Sequence, residues 1–298
     1  IITFDYSRPM RISGDVFISL DTVRSNAILL GKTYDNELMR VIIHGILHLC
    51  GVDDKGPGER EIMERHEDEA LAIENFVSMH VESIIACLAQ DTVDYSHFQK
   101  IHSMGIPLVF FSRTCLPELF SHVVADGDVA ARNATRHLIA SGNRRIAFIG
   151  GPNHLDMVRR RKHGYLEALR EAGIPIDRNL VFCDRIDFEV ARDATLRLLS
   201  REDRPDAILA FNDIVTYAAF DAIKAKGLKI PEDVSIIGFS DGDTAAFVTP
   251  RLTTIADQAN LQGRKACELL MRNINGDKKI YHEVVPMELI IRESCIKK

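Results

Sequence analysis

From Ser83 onward, short and nearly uninterrupted apolar runs recur along the chain: Ser83–Leu88, Pro107–Phe111, His122–Ala125, Arg145–Ile149, Leu180–Cys183, Ala207–Phe211 and Val234–Phe239. Runs that are apolar throughout, rather than alternating, predict strands buried on both faces. Segments with helical spacing stand between most of them, at Tyr95–Met104, Val129–Ser141, Arg159–Ala172, Phe188–Leu199 and Ile214–Lys226. Gly105, Gly142, Gly173 and Gly227 each follow a helix and precede a strand, where a residue that tolerates positive φ ends a helix. Strands alternating with helices predict an α/β fold with parallel sheets covered on both sides.

The rhythm before Ser83 is different. Ile1–Phe4 and Asp15–Leu20 are β-rich and separated by turn-forming residues, so they read as neighbouring strands. Asp21 or Thr22 suits the cap of a helix running to about Gly31, and Asn36 the cap of a second with Leu38, Val41, Ile42, Ile46 and Leu49 on its apolar face. After the loop Gly56-Pro57-Gly58, a charged helix runs from Glu59 through Ile62, Met63, Ala70 and Ile73 toward Met79. This front part is α+β.

Composition narrows the function classes. With 298 residues, 46% hydrophobic and 27% charged, the chain reads as a globular protein of one large or two ordinary domains. A net charge of −6 gives no global pull toward nucleic acid. No apolar run is long enough for a membrane span, and no signal peptide is recognisable. Six cysteines without paired spacing, several inside apolar runs, fit reduced thiols and a cytoplasmic location. The chain opens Ile-Ile-Thr-Phe, without Met and inside a β-rich run, so a fragment is expected.

The densest chemistry lies at His44-Gly-Ile-Leu-His48-Leu-Cys-Gly-Val-Asp53-Asp54. His44 and His48 are four apart and share one helix face, and Gly51 ends that helix so that Asp54 can turn back toward the two rings. Two imidazoles and a carboxylate, with a fourth position for water, make the ligand count of a catalytic zinc site. Gly45 after the first His rules out the metalloprotease pattern with its built-in glutamate base.

The stretches ITFDYS, ISGDVFIS, RVIIHGILHLCGVDDK and EREIMERHEDEAL resemble the YbeY family of metal-dependent endoribonucleases of ribosomal RNA maturation. Every specified position of its motif H-G-x-L-H-L-x-G-x-D-H is met except the last, where Asp54 replaces a histidine. The resemblance implies His44, His48 and Asp54 as ligands of one zinc or similar divalent ion, and RNA as a partner. It covers residues 1–73 and corresponds to the later part of such a domain.

From about Glu74 the chain resembles the effector-binding core of LacI-family regulators, whose fold is that of periplasmic binding proteins. The resemblance is carried in order by SMHVESIIA, MGIPLVFFSR, ATRHLIASGNRRIAFIGGP, RRRKHGYLEALREAGI, AILAFNDIVTYAAFDAIKAKGLKIPEDVSIIGFSDGD, TPRLTTI and PMELIIRES. It implies a truncated first lobe over residues 74–142, a second lobe over 143–298, and a sugar-like effector between them. Arg161, at the start of the helix after Gly150-Gly151-Pro152, matches the family's polyol-binding arginine, and Asn212 its cleft asparagine. Ser240 and Asp241 stand where an acid is common, and Asp126 ends a further strand. Asn212 and Asp126 are equally good helix caps. The run Arg159-Arg160-Arg161-Lys162 reads as a solvated helix face plus one cleft residue. With no reading helix or basic cluster, direct sequence-specific DNA binding is not expected of this chain, while homodimerisation stays open. Three readings follow: a small-molecule regulator core with a metal-binding accessory, a metal-dependent RNase with a regulatory domain, or a join of two truncated genes.

Overall fold

In the computed structural model the described residues are 2–5, 14–17, 25, 28, 69, 72–74, 76, 77, 79, 81–90, 92 and 94–295. The elements in chain order are β1 (Ile2–Asp5), β2 (Gly14–Phe17), β3 (Ile84–Ala86), α1 (Ser96–Ser103), β4 (Leu108–Phe111), β5 (Ser121–Ala125), α2 (Gly127–Ala140), β6 (Ile146–Gly150) and α3 (Asp156–Glu171). They continue with β7 (Val181–Cys183), α4 (Phe188–Leu199), β8 (Ala207–Ala210), α5 (Asp213–Ala225), β9 (Ser235–Ser240), β10 (Thr253–Ala256), α6 (Ala259–Ile274), β11 (His282–Val285) and β12 (Glu288–Ile290). The fold class is the expected α/β.

Two compact units are present, one comprising Ile1–Ile85, Asp94–Leu108 and Cys267–Lys278, the other Ala86–Val93, Val109–Ala266 and Lys279–Lys298. In the first, β1 and β2 pair antiparallel with Ile2 opposite Phe17, as neighbouring strands should. The same unit buries Ile73, Phe98 and Ile101 and pairs Lys100 with Glu74 at 3.6 Å.

The second unit is organised on a six-stranded sheet of order β12-β10-β9-β8-β6-β7, parallel except for the edge strand β12. Strands β6 and β8, and β9 between its terminal serines, carry no polar side chain because helices cover both faces. Ala147, Ile149, Ile208, Ala210 and Ile236 point to one side, against Ala191 and Leu198 of α4 and Val215, Ala219 and Ile223 of α5. Ile146, Phe148, Leu209, Ile237 and Phe239 point to the other, against Ala131 and Leu138 of α2 and Tyr165 and Leu169 of α3. The period-2 alternation of a strand makes this division. A second, four-stranded sheet has the order β11-β5-β4-β3, with β11, β5 and β4 mutually parallel.

All seven expected strands after Ser83 are present within a residue or two of their expected ends, and Gly105, Gly142, Gly173 and Gly227 all carry φ between +66° and +91°. Helix α6 and strands β10, β11 and β12 were not anticipated from the apolar pattern. Helix α3 begins at Asp156, earlier than the expected Arg159, which places Arg161 in its second turn rather than at its start. Helices α2 and α3 approach closely at Gly164. A Cβ there would stand 2.9 Å from the carbonyl carbon of Asp128, closer still to its oxygen, and 3.0 Å from the amide nitrogen of Arg132.

Candidate effector cleft

Four strand ends of the second unit converge on a cleft. The segment after β4 supplies Ser112, Arg113 and Thr114; the end of β5 supplies Val124, Ala125 and then Gly127. The first turns of α3 supply Leu155, Asp156, Met157, Arg160 and Arg161, and the segment after β10 adds Asp257 and Gln262. The cleft encloses about 530 Å³ of space, counting the part that is open to solvent. Ligands of parallel α/β sheets gather outside the carboxyl ends of the strands, because loops of free length and outward-pointing helix N-termini meet there.

Arg161 is the centre of this site. Its side chain is only 3% exposed, with the guanidinium carbon 4.0 Å from the ring centroid of Phe239 and 4.6 Å from that of Phe211. Two aromatic faces suit a planar cation and hold it at low entropic cost. Nη1 donates to the main-chain oxygen of Phe211, while Nε is buried without a partner. Burial lowers its pKa to about 10, opposed by the nearby Asp257 carboxylate, so the group is still charged at neutral pH. Burial likewise raises Asp257, with Arg161 pulling the other way. Gly127 lets α2 reach this side chain, since a Cβ there would meet Arg161 Cγ at 3.1 Å.

Gln262 is equally buried at 3% exposure. Its amide nitrogen donates to the main-chain oxygen of Asp257 at 2.6 Å, which leaves Oε1 buried and unpaired. The site therefore offers one unpaired donor on Arg161 and one unpaired acceptor on Gln262. A hydroxyl, which both donates and accepts, is the group that answers such a pair.

The other anticipated residues have local duties. Asn212 caps α5, its Oδ1 accepting from Val215 N at 3.0 Å, and Asp126 caps α2 by accepting from Val129 N at 3.3 Å. Neither is among the cleft-lining residues given above, so for both the capping alternative describes what the side-chain oxygen does. Ser240 and Asp241 turn the chain with φ of +106° and +57°, and Asp241 accepts from Arg292 at 2.7 Å. Next to them Asp213 accepts from Gly242 N at 3.0 Å, and burial, with Asp241 and Asp257 nearby, raises its pKa to about 6. The basic run behaves as expected of a solvated face: Arg159 and Arg160 pair with Asp156, and Lys162 donates to Asn153 Oδ1 at 3.0 Å. Arg113, Asp257 and Gln262 were missed. The signal for the last two was the apolar run of β10, hidden by Thr253 and Thr254.

The metal-ligand candidates His44, His48 and Asp54 lie outside the described residues. Among the described residues no cluster of metal-binding side chains occurs and no helix is long and apolar enough to cross a membrane. The five described cysteines are free thiols.

Comparison with known proteins decides the family. Residues 135–295 match the periplasmic binding protein-like domain. The chain belongs to that family. The chain is similar to LacI-type regulators: it is 34% identical over 217 residues to the HTH-type transcriptional regulator DegA of Bacillus subtilis, covering 72% of this chain and 64% of that protein. It superposes on the solved complex of the transcriptional regulator CelR with cellobiose at a TM-score of 0.70 and 31% identity, covering 77% of this chain and 70% of the other. Residues 1–74 match endoribonuclease YbeY. They are similar to the enzyme of Bacteroides thetaiotaomicron, 70% identical over 73 residues, which make up 24% of this chain and 53% of that protein. The chain thus spans about half the length of this YbeY relative and just under two thirds of DegA.

Proposed function

We propose that the part of the chain after about residue 73 is the effector-sensing core of a regulator, and that it binds a sugar-type small molecule in the cleft around Arg161. The observation that carries this reading is the buried guanidinium packed on Phe211 and Phe239, whose Nε is unpaired, together with the unpaired Oε1 of a buried Gln262 that lines the same cleft. Leaving such groups without partners costs about 1–3 kcal/mol each, a cost that a bound hydroxyl removes. The cellobiose carried by the related CelR structure supports a polyol. On this reading Asn212, Ser240–Asp241 and Asp126 shape the rim of the binding region through their caps and turns. Isothermal calorimetry with a panel of sugars and nucleosides tests it. Arg161→Ala should weaken binding at least tenfold, since a charge-assisted hydrogen bond contributes about 1.5–3 kcal/mol. Binding that survives both Arg161→Ala and Gln262→Leu would move the effector elsewhere.

We further propose that the YbeY-like segment, residues 1–73, holds one zinc or similar divalent ion through His44, His48 and Asp54. The motif match and the chemistry of two imidazoles and a carboxylate within eleven residues support this. Such an ion activates water for hydrolysis, the chemistry of an endoribonuclease acting on RNA. Metal analysis of purified protein against His48→Ala tests it: the variant should lose the bound ion, and equal metal content in both proteins would refute the assignment.

A further inference from the structure

We propose that the ligand of this cleft carries an anionic group, a carboxylate or a phosphate, and that Arg113 receives it. This inference rests on reading the cleft as a polyol site and adds the charge of the polyol. Five charged side chains line the cleft: Arg113, Arg160, Arg161, Asp156 and Asp257. Asp156 is already engaged by Arg160 and by Arg159. Asp257 and the buried Arg161 stabilise each other's charges across the same space. Arg113 is left over, with no ion pair among the described residues.

Its position is built rather than incidental. Ser112, immediately before it, adopts φ of +59° and donates its N–H to Val123 O at 2.9 Å, which turns the chain at the end of β4. Arg113 is then tied to Leu88 twice: its carbonyl accepts from Leu88 N at 3.1 Å and its Nε donates to Leu88 O. These contacts occupy the stem and Nε, and they leave the two terminal nitrogens as a fork. A fork held by its Nε presents two parallel donors, the geometry that receives two oxygens of a carboxylate or phosphate. The hydroxyl-bearing part of the same ligand then meets Arg161 Nε and Gln262 Oε1.

The full chain titrated with D-glucose, D-glucuronate and glucose 6-phosphate separates these ideas by calorimetry. At least one anionic sugar should bind about tenfold or more tightly than glucose, and raising NaCl from about 0.1 to 0.5 M should erode that advantage. The better of the two anions identifies carboxylate or phosphate. Arg113→Gln should cost the anionic sugar at least tenfold, and a larger factor than it costs glucose. Because Nε also holds Leu88, the salt dependence of the unaltered protein carries the test should that variant fail to fold. Glucose binding as tightly as both anions would overturn the anionic ligand while leaving the polyol reading standing. Binding by none of the three would count against both.

Discussion

Gly164→Ala should destabilise the protein, although alanine is the better helix former. In an exposed helix interior this change stabilises by about 1 kcal/mol. Here the added methyl would stand 2.9 Å from the carbonyl carbon of Asp128 and 3.0 Å from Arg132 N, both main-chain atoms of α2. A flexible side chain could rotate away, but a helix backbone cannot, so α2 and α3 must separate by about an ångström or more. Overpacking of this kind costs about 1–3 kcal/mol, and a backbone-to-backbone clash belongs at or above the upper end. Net of the helical gain, the loss is about 2 kcal/mol. For a cooperative unit of roughly 200 residues that lowers the melting temperature by about 4–8 °C. The same displacement reaches the cleft, because Arg161 lies one turn earlier on α3 and packs on Gly127 of α2. Thermal unfolding followed by circular dichroism checks the stability, and calorimetric titration checks the binding. An unchanged or raised melting temperature would refute the close-approach argument.

Two further outcomes follow from buried polar groups. Tyr165 is 1% exposed and its hydroxyl donates to Ile146 O at 2.8 Å, so Tyr165→Phe should cost about 1 kcal/mol, read as a small drop in the urea midpoint at constant slope. A midpoint equal to that of the unaltered protein would show that this bond contributes nothing net. Asp213 has its pKa raised from 3.8 to about 6, chiefly by burial, so the folded state holds its proton more tightly than the unfolded chain. Its contribution favours folding below pH 4 and is lost as the pH rises through about 6. Asp213→Asn keeps an acceptor for Gly242 N and should raise the melting temperature at pH 7.5 relative to pH 4.5. A variant shifting equally at both pH values would disprove the burial of that charge.

Much of the architecture was legible because its causes are local. A strand covered on both faces must be apolar at successive positions, so β6, β8 and β9 announced themselves. A helix that stops just before a strand commonly ends on a residue at positive φ, so four glycines marked four helix ends. The pattern around His44 and His48 was legible for the same reason, its candidate donors lying within eleven residues of one another. Tertiary structure alone decided three things. Strand β11, half-exposed and carrying His282 and Glu283, is a strand only because β5, some 160 residues earlier, offers it a partner. Strand β12 then joins the other sheet at β10, a return that no periodicity encodes. The cleft itself was the third: Asn212 and Asp126 each give a side-chain oxygen to a helix cap, and Arg113, Asp257 and Gln262 become neighbours only when the ends of β4 and β10 meet the start of α3. A binding site is a convergence of strand ends, and the distances that define it are long in sequence and short only in the folded chain.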